Sequence, residues 1–267
     1  MASLPVQPLS PELTDLLDRV AERQRQDFGR LDSELKADGT LITACDRWSD
    51  ATLVEGLAQL YPGEGVLSEE GDRRVPSSAA YWVVDPLDGT TNFAAGIPYW
   101  AISLARFEGG VPVLAILDVP PLRQRIVAVR GQGAWRNGKP LLAPSRQQNP
   151  AGCASLCSRS IGVLQKLPDQ RFPGKIRLLG VASLNLVSVA MGQTVAALEA
   201  TPKIWDLAAA WLVLSELGCA VRWLLQEPEQ LEAGRDLSTA EFPVLAAEDG
   251  STLERFLPWG EALVAQG

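Results

Sequence analysis

The sequence predicts an α/β or layered α+β fold, and three observations carry that reading. Short apolar or alternating runs bounded by turn residues recur along the chain, and in the second half they alternate with apolar segments at helical spacing. The dipeptides Gly109-Gly110 and Asn137-Gly138 each separate two alternating runs, as hairpin turns do. The chain has 267 residues, 46% of them hydrophobic, which is enough to bury a sizeable core.

The elements follow in order. Ser10-Pro11-Glu12 reads as N-cap, N1 proline and first-turn acid, and Leu13, Leu16, Leu17 and Val20 continue at helical spacing, giving a first helix to about Arg30. DGTLITACD (38–46) predicts a turn and a short strand ending at Asp46, and a second helix runs from about Ser49 to Leu60 before Tyr61-Pro62-Gly63. GVLSEEG (65–71) and YWVVD (81–85) are short apolar strands that both end in carboxylates. WAISLARFEGGVPVLAILDV and RIVAVRGQGAWRNGKPLL read as antiparallel hairpins. The polar, proline-bounded stretch at 142–150 predicts a boundary between an N-terminal α+β subdomain, 1–145, and a C-terminal α/β subdomain, 146–267. Beyond it come strands at CASLCS, KIRLL, TVAALEA, AVRWLL and FPVLAA. Between them lie helices at 161–167, ASLNLVSVAMG and WDLAAAWLVLSELG, the last stopped by Gly218, and a C-terminal helix broken at its proline.

Composition excludes several function classes. A net charge of −8 gives no electrostatic footprint for nucleic acid or a membrane surface. No window approaches the roughly 18 apolar residues of a membrane span. MASLPVQPLSPEL lacks a basic n-region and a long apolar core, and the four cysteines (45, 153, 157 and 219) form no disulfide or zinc spacing, so the reading is a reducing cytoplasm. There is no histidine, which removes Ser-His-Asp triads, Cys-His dyads and His-ligated metals. A metal would have to be held by oxygen, and oxygen ligands favour hard ions such as Mg²⁺.

The stretch DPLDGTTNF (85–93) concentrates the chemistry. Asp85 and Asp88 flank a proline elbow at the end of an apolar strand and can converge on one point, with the Leu87 carbonyl exposed between them. Two such carboxylates repel, and a divalent cation removes that penalty. Gly89-Thr90-Thr91 then offers backbone N–H groups at a helix start capped by Asp88, an arrangement suited to an anion. An isolated Asp-Gly is ordinarily just a turn, and an Asp at the start of an apolar helix, such as Asp206, is ordinarily just a cap.

Together these segments resemble the inositol monophosphatase family. Trp82 to Phe93 resembles its first signature, and Trp205 to Gly218 resembles its W-D-x-A-A…E-x-G helix. LSEEG (67–71), DGTLITACDR (38–47, with Ile42 for Val) and Gly180-Val181-Ala182-Ser183 resemble its glutamate, D-x-x-V-T-x-x-D and G-S-A-A motifs, in the family's order. The chain departs from the family at Gly192-Gln193-Thr194-Val195, where G-R-x-D is frequent.

The resemblance implies a layered α-β-α-β-α sandwich forming one compact unit, a homodimer, and Mg²⁺-dependent, Li⁺-sensitive hydrolysis of a small phosphate ester by activated water. Inositol 1-phosphate is the first candidate substrate; fructose 1,6-bisphosphate, histidinol phosphate and 3′-phosphonucleotides belong to other branches. It implies Glu69, Asp85, the Leu87 carbonyl and Thr90 as ligands of a first Mg²⁺, and Asp85, Asp88 and Asp206 as ligands of a second. A third ion would sit at Glu69. The Gly89 and Thr90 amides would hold phosphate, Thr90 would orient the water with Glu70 nearby, Asp46 and Lys36 would come from a mobile loop, and Glu199 would meet substrate hydroxyls. Two other readings compete. CASLCSRS (153–160) fits the C-x5-R-S pattern of thiol phosphatases, with Cys153 as nucleophile and no internal glycine. A non-catalytic binding module would be expected to have lost a metal carboxylate, and all four are present. Cys157 and Cys219 read as small buried apolar residues.

Overall fold

The computed structural model describes residues 9–30, 33–35, 41–144, 152–228 and 231–265. Helix α1 (Pro11–Asp27) starts at Ser10, whose hydroxyl accepts from the Leu13 N–H. Strands β1 (Ser33–Leu35) and β2 (Leu41–Thr43) pair antiparallel ahead of helix α2 (Ala44–Leu60). Strands β3 (Gly65–Ser68) and β4 (Ala80–Asp88) lead to the short helix α3 (Thr90–Ala94). An antiparallel run follows: β5 (Ala101–Glu108), β6 (Val111–Val119), β7 (Gln124–Val129), β8 (Gly133–Arg136) and β9 (Lys139–Pro140). The remaining elements are β10 (Cys153–Leu156), α4 (Val163–Lys166), β11 (Lys175–Arg177), α5 (Ala182–Ala190), β12 (Ala196–Glu199), α6 (Ile204–Glu216), β13 (Ala220–Trp223), β14 (Val244–Ala247) and α7 (Gly250–Val264).

Two sheets organise these elements. Strands β3 to β9 form a seven-stranded sheet in chain order, parallel between β3 and β4 and antiparallel elsewhere. The second sheet runs β11-β10-β12-β14-β13. Alternation along β4 decides the layers. Trp82 and Val84 pack with α1 and α2, while Tyr81 and Val83 face the opposite way, into a core built by α5 and α6. The same alternation divides β12 and β14. Ala197, Val244 and Ala246 join the α5/α6 core, and Ala196, Leu198, Leu245 and Ala247 face α4 and α7. The result is the expected α-β-α-β-α sandwich, with α6 against the larger sheet and α5 against the smaller. At one margin of the smaller sheet, β11 is three residues long and leaves Lys175 and Arg177 exposed. Among the described residues no helix is long and apolar enough to cross a membrane.

Several boundaries differ from expectation. Helix α1 ends at Asp27, short of Arg30. Helix α2 begins five residues before Ser49, because Thr43 and Asp46 form a capping box that starts it at Ala44. Helix α7 is continuous through Pro258: it keeps its register at the cost of one backbone donor. Both predicted hairpins are present, with positive φ at Gly109 and Gly110 (58° and 82°) and at Asn137 and Gly138 (49° and 74°).

Candidate metal centre

The larger sheet builds the acidic cluster through two local devices. The first is parallel pairing of β3 with β4, in which Ser68 lies opposite Val84. The Glu69 N–H donates to the Val84 carbonyl at 3.1 Å, so Glu69 is level with Asp85. The second is a register shift in β4: Asp85 lies opposite Ser103 but Asp88 opposite Ala101. A regular strand would send residues three apart to opposite faces. The extra residue, at a proline that has no N–H to give a ladder, turns both aspartates toward α5 and α6. Outside the sheet, α6 contributes as well, its N-terminal turn tied to β5 by the Ser103 hydroxyl donating to the Trp205 carbonyl at 3.3 Å.

Glu69, Asp85 and Asp206 each offer a carboxylate oxygen within 4.8 Å of the others. Asp85 is held well above the usual carboxylate range, first by burial and then by repulsion from Glu69, Asp88 and Asp206. Asp206 is raised in the same way, by burial and then by Asp88 and Glu69. Burial also raises Asp88, against which the Ser183 contact works. Such a cluster is unfavourable on its own, and its all-oxygen donor set is the chemistry that holds a hard divalent cation. The residues therefore fit the Mg²⁺ that the resemblance implies.

A cavity of about 400 Å³ opens over this cluster, walled by Glu69, Asp85, Asp88, Asp206, Gly89 and Thr90. Arg73, Arg159 and Lys203 also line it. A larger cavity of about 630 Å³ lies beside α1 and β7, and its acids are neutralised by arginine. Asp18 meets Arg125 at 2.7 Å, Glu22 meets Arg25 at 2.6 Å, and Asp118 also pairs with Arg125. The smaller cavity is the one in which Glu69, Asp85 and Asp206 converge on one point.

Several expected site residues have roles other than those read from the sequence. Asp88 does not cap α3: Gly89 holds the N-cap position at φ 100°, and the Asp88 carboxylate accepts from the Ser183 N–H of α5 at 2.7 Å. Asp206 sits in the first turn of α6, where its carboxylate accepts from the Lys203 N–H at 2.7 Å, so capping and cluster membership coexist. Asp46 belongs to the buried first turn of α2, not to a mobile loop. It accepts from the Thr43 N–H at 2.8 Å and from the Thr90 hydroxyl at 2.8 Å, and that hydroxyl also lies 3.1 Å from the Leu87 carbonyl. Glu199 is 2% exposed, accepts from Asn185 Nδ2 at 2.8 Å, and is absent from the cavity wall; burial pushes its pKa up to about 8. Glu70 is half-buried beyond β3 and also lies off the wall. Lys36 lies outside the described residues.

The thiol-phosphatase reading does not survive the geometry. Cys153 begins a strand paired on both sides, and the Arg159 guanidinium donates to the Thr201 hydroxyl at 3.0 Å. Strand β10 and a 3₁₀ turn at Ser158–Gly162 occupy the segment that a thiol phosphatase would use as its anion loop. Cys157 and Cys219 are half-buried, not fully buried. Cys157 is 3.0 Å from the Ser160 hydroxyl, and its thiol is pushed up by burial and then by Glu199.

Sequence reasoning passed over three supports of the site. Asn92 donates to the Tyr99 and Leu179 carbonyls at 2.9 and 2.8 Å, clamping α3 to the turn before α5. Ser183 supplies the amide for Asp88. Gln24, on the buried stripe of α1, donates to the Pro86 carbonyl at 2.8 Å. Asn92 and Ser183 lie inside quoted motifs without a role of their own, and Gln24 left a signal as a polar residue four positions beyond Val20 on an apolar stripe.

The comparisons with known proteins agree with this architecture. A histidinol-phosphatase of Mycobacterium tuberculosis is 34% identical over 217 residues, covering 76% of this chain and 82% of that protein. The solved Thermotoga maritima IMPase shares the fold at TM-score 0.78 and 24% identity, covering 93% of this chain and 96% of that one. An IMPase/NADP phosphatase solved with Mg²⁺ and phosphate superimposes at TM-score 0.76 and 24% identity, covering 96% of this chain and 94% of its own. The model of the inositol monophosphatase family matches residues 7–255, and the chain belongs to that family.

Proposed function

We propose that this family phosphatase is a Mg²⁺-dependent phosphomonoesterase of small phosphorylated polyols or sugars, with inositol 1-phosphate as the first candidate. The observation that carries the reading is the convergence of Glu69, Asp85 and Asp206 on one point beside Asp88. Glu69, Asp85 and the Leu87 carbonyl would hold one ion, and Asp85, Asp88 and Asp206 a second. Bound there, Mg²⁺ supplies positive charge against the ester oxygens and acidifies a water for in-line attack. An IMPase/NADP phosphatase of this fold was solved with Mg²⁺ and phosphate, which is in keeping with a metal-dependent phosphatase.

The chain's own groups do the rest. Asp46 takes the Thr90 hydroxyl proton in a hydrogen bond, which leaves the Thr90 oxygen lone pairs to accept from a water. The Gly89 and Thr90 amides at the cavity wall are donors for phosphate oxygens. Glu199 lies behind the wall and supports β12 and α5 through Asn185, so contact with substrate hydroxyls would require it to be exposed. A cytoplasmic homodimer sensitive to Li⁺ is part of the same reading.

A second reading of the substrate rests on Arg73, Arg159 and Lys203, which line the same cavity. Lys203 pairs with Glu241 of the same wall at 3.7 Å, and the guanidinium groups of Arg73 and Arg159 favour an ester with a second anionic group, such as fructose 1,6-bisphosphate or a 3′-phosphonucleotide. One experiment addresses both readings. Phosphate release is measured on inositol 1-phosphate, galactose 1-phosphate, fructose 1,6-bisphosphate, histidinol phosphate and a 3′-phosphoadenosine nucleotide, with Mg²⁺, with EDTA, and with Mg²⁺ plus Li⁺. Turnover that needs Mg²⁺, is abolished by Asp88→Asn and survives Cys153→Ser is expected; EDTA-resistant turnover overturns the metal reading. If the second anion matters, Arg159→Gln lowers kcat/KM for the bisphosphate about 10-fold and leaves inositol 1-phosphate unaffected.

A further inference from the structure

Gln24 is fully buried, and its amide has a partner for each of its groups. Oε1 accepts from the Trp100 indole N–H at 3.0 Å, while Nε2 donates to the Pro86 carbonyl at 2.8 Å and to the Ser49 hydroxyl at 3.1 Å. The amide orientation is fixed by chemistry, because an indole only donates and a carbonyl only accepts. The Pro86 carbonyl belongs to the Pro86–Leu87 peptide. The N–H at the other side of that peptide donates to Asp85 Oδ1 at 3.0 Å. One peptide plane is therefore gripped twice, by Gln24 on its oxygen and by Asp85 on its nitrogen.

These contacts run in series from the Trp100 indole through the Gln24 amide and the Pro86–Leu87 peptide to the Asp85 carboxylate. Every donor points toward the carboxylate, so each bond polarises the next in the same sense. The chain crosses the bulge of β4, where regular ladder pairing is interrupted. It ends on Oδ1 of Asp85, whose carboxylate also offers an oxygen to the cluster. The next carbonyl along, that of Leu87, follows this plane through the Leu87 Cα and lies 3.1 Å from the Thr90 hydroxyl. A buried core position on α1 would otherwise suit leucine or methionine. Its indole partner Trp100 packs with Phe93 and Leu87 in one apolar cluster.

We propose that Gln24 is a positioning residue for the metal centre. By fixing the Pro86–Leu87 peptide it sets the orientation of the Asp85 carboxylate and the point from which the Leu87 carbonyl departs, and through them the affinity for a divalent cation. The proposal rests on the reading of the acidic cluster as a Mg²⁺ site. Groups behind a first ring of ligands ordinarily change metal affinity by about 10- to 100-fold when removed.

The test is calorimetric titration of Mg²⁺ into the substrate-free protein, with thermal melting in EDTA alongside. The proteins are wild type, Asp85→Asn, Gln24→Met and Trp100→Phe. Wild type is expected to bind Mg²⁺ and Asp85→Asn to lose that binding. Gln24→Met, which fills the same space without an amide, is expected to bind about 10-fold more weakly at a temperature where it remains folded. Trp100→Phe keeps the ring but removes the first donor, and weakens binding by a smaller factor in the same direction. Mg²⁺ affinity within twofold of wild type in Gln24→Met, whatever its melting temperature, would show that the amide only satisfies the core. If Gln24→Met does not fold, an unchanged affinity in Trp100→Phe overturns the chain by itself. A wild type that takes up no Mg²⁺ removes the metal reading and this proposal together, a result distinct from either variant failing alone.

Discussion

Gly89 shows what a single position must satisfy at this site. Its φ of 100° is closed to ordinary side chains, and an added Cβ would lie 2.8 Å from Val181 Cγ2 and 3.3 Å from the Tyr99 carbonyl. Gly96, at φ 75°, has nothing within 4 Å of the same added atom. Alanine at Gly96 is expected to cost about 1 kcal/mol for the backbone alone, and alanine at Gly89 about 2 kcal/mol or more, because a contact is added to the strain. Urea unfolding of the two variants measures the difference, and equal losses would refute the contact. At this scale the sequence was informative about which carboxylates gather and less so about what they touch. Asp85, Asp88, Glu69 and Asp206 were legible because strand ends and a helix start concentrate acids there. That Asp88 would meet Ser183, 95 positions away, was not, because no local pattern encodes a contact between β4 and α5.

Among the elements, α2 joins stability to chemistry most directly. Its capping box uses Thr43 and Asp46, and the same Asp46 carboxylate holds the Thr90 hydroxyl. Thr43→Ala is therefore expected to lower stability by about 1 kcal/mol and to lower turnover as well, whereas Thr43→Ser keeps both. Parallel denaturation and rate measurements check this, and a Thr43→Ala enzyme with unchanged turnover would separate the cap from the site. The capping box sits in the sequence at Thr43-x-x-Asp46, yet the segment reads as strand because the apolar run Leu41-Ile42 precedes it. The β4 bulge was half legible: Pro86 announces a break in the ladder, but the direction in which Asp88 turns depends on the pairing partner β5.

For the whole molecule, the acids of the centre link pH, metal and stability. Asp85, Asp88, Asp206 and Glu199 all have folded pKa values above their ordinary ones, that of Glu199 at about 8. In metal-free protein these groups keep protons that the unfolded chain sheds, so stability falls as pH rises from the ordinary carboxylate range toward 8. With EDTA the melting temperature is expected to be lower at pH 8 than at pH 5. Mg²⁺, which binds the ionised forms, should restore the pH 8 value. Scanning calorimetry at the two pH values decides it, and a metal-free protein with no such gap would contradict the burial assigned to these acids. The layered fold was legible from the alternation of elements. The placing of α6 against the larger sheet and α5 against the smaller one was not, since both helices are buried nearly all round.

The short β11 margin bears on how the protein behaves in a crowded solution. A sheet margin with free backbone groups can template pairing with another chain, and three residues with Lys175 and Arg177 outward leave little room for it. Exchanging both cations for threonine would lengthen the β-prone surface and remove the mutual repulsion of two copies. Light scattering is expected to show concentration-dependent association of that variant with turnover per chain unchanged, so this margin guards solubility separately from catalysis.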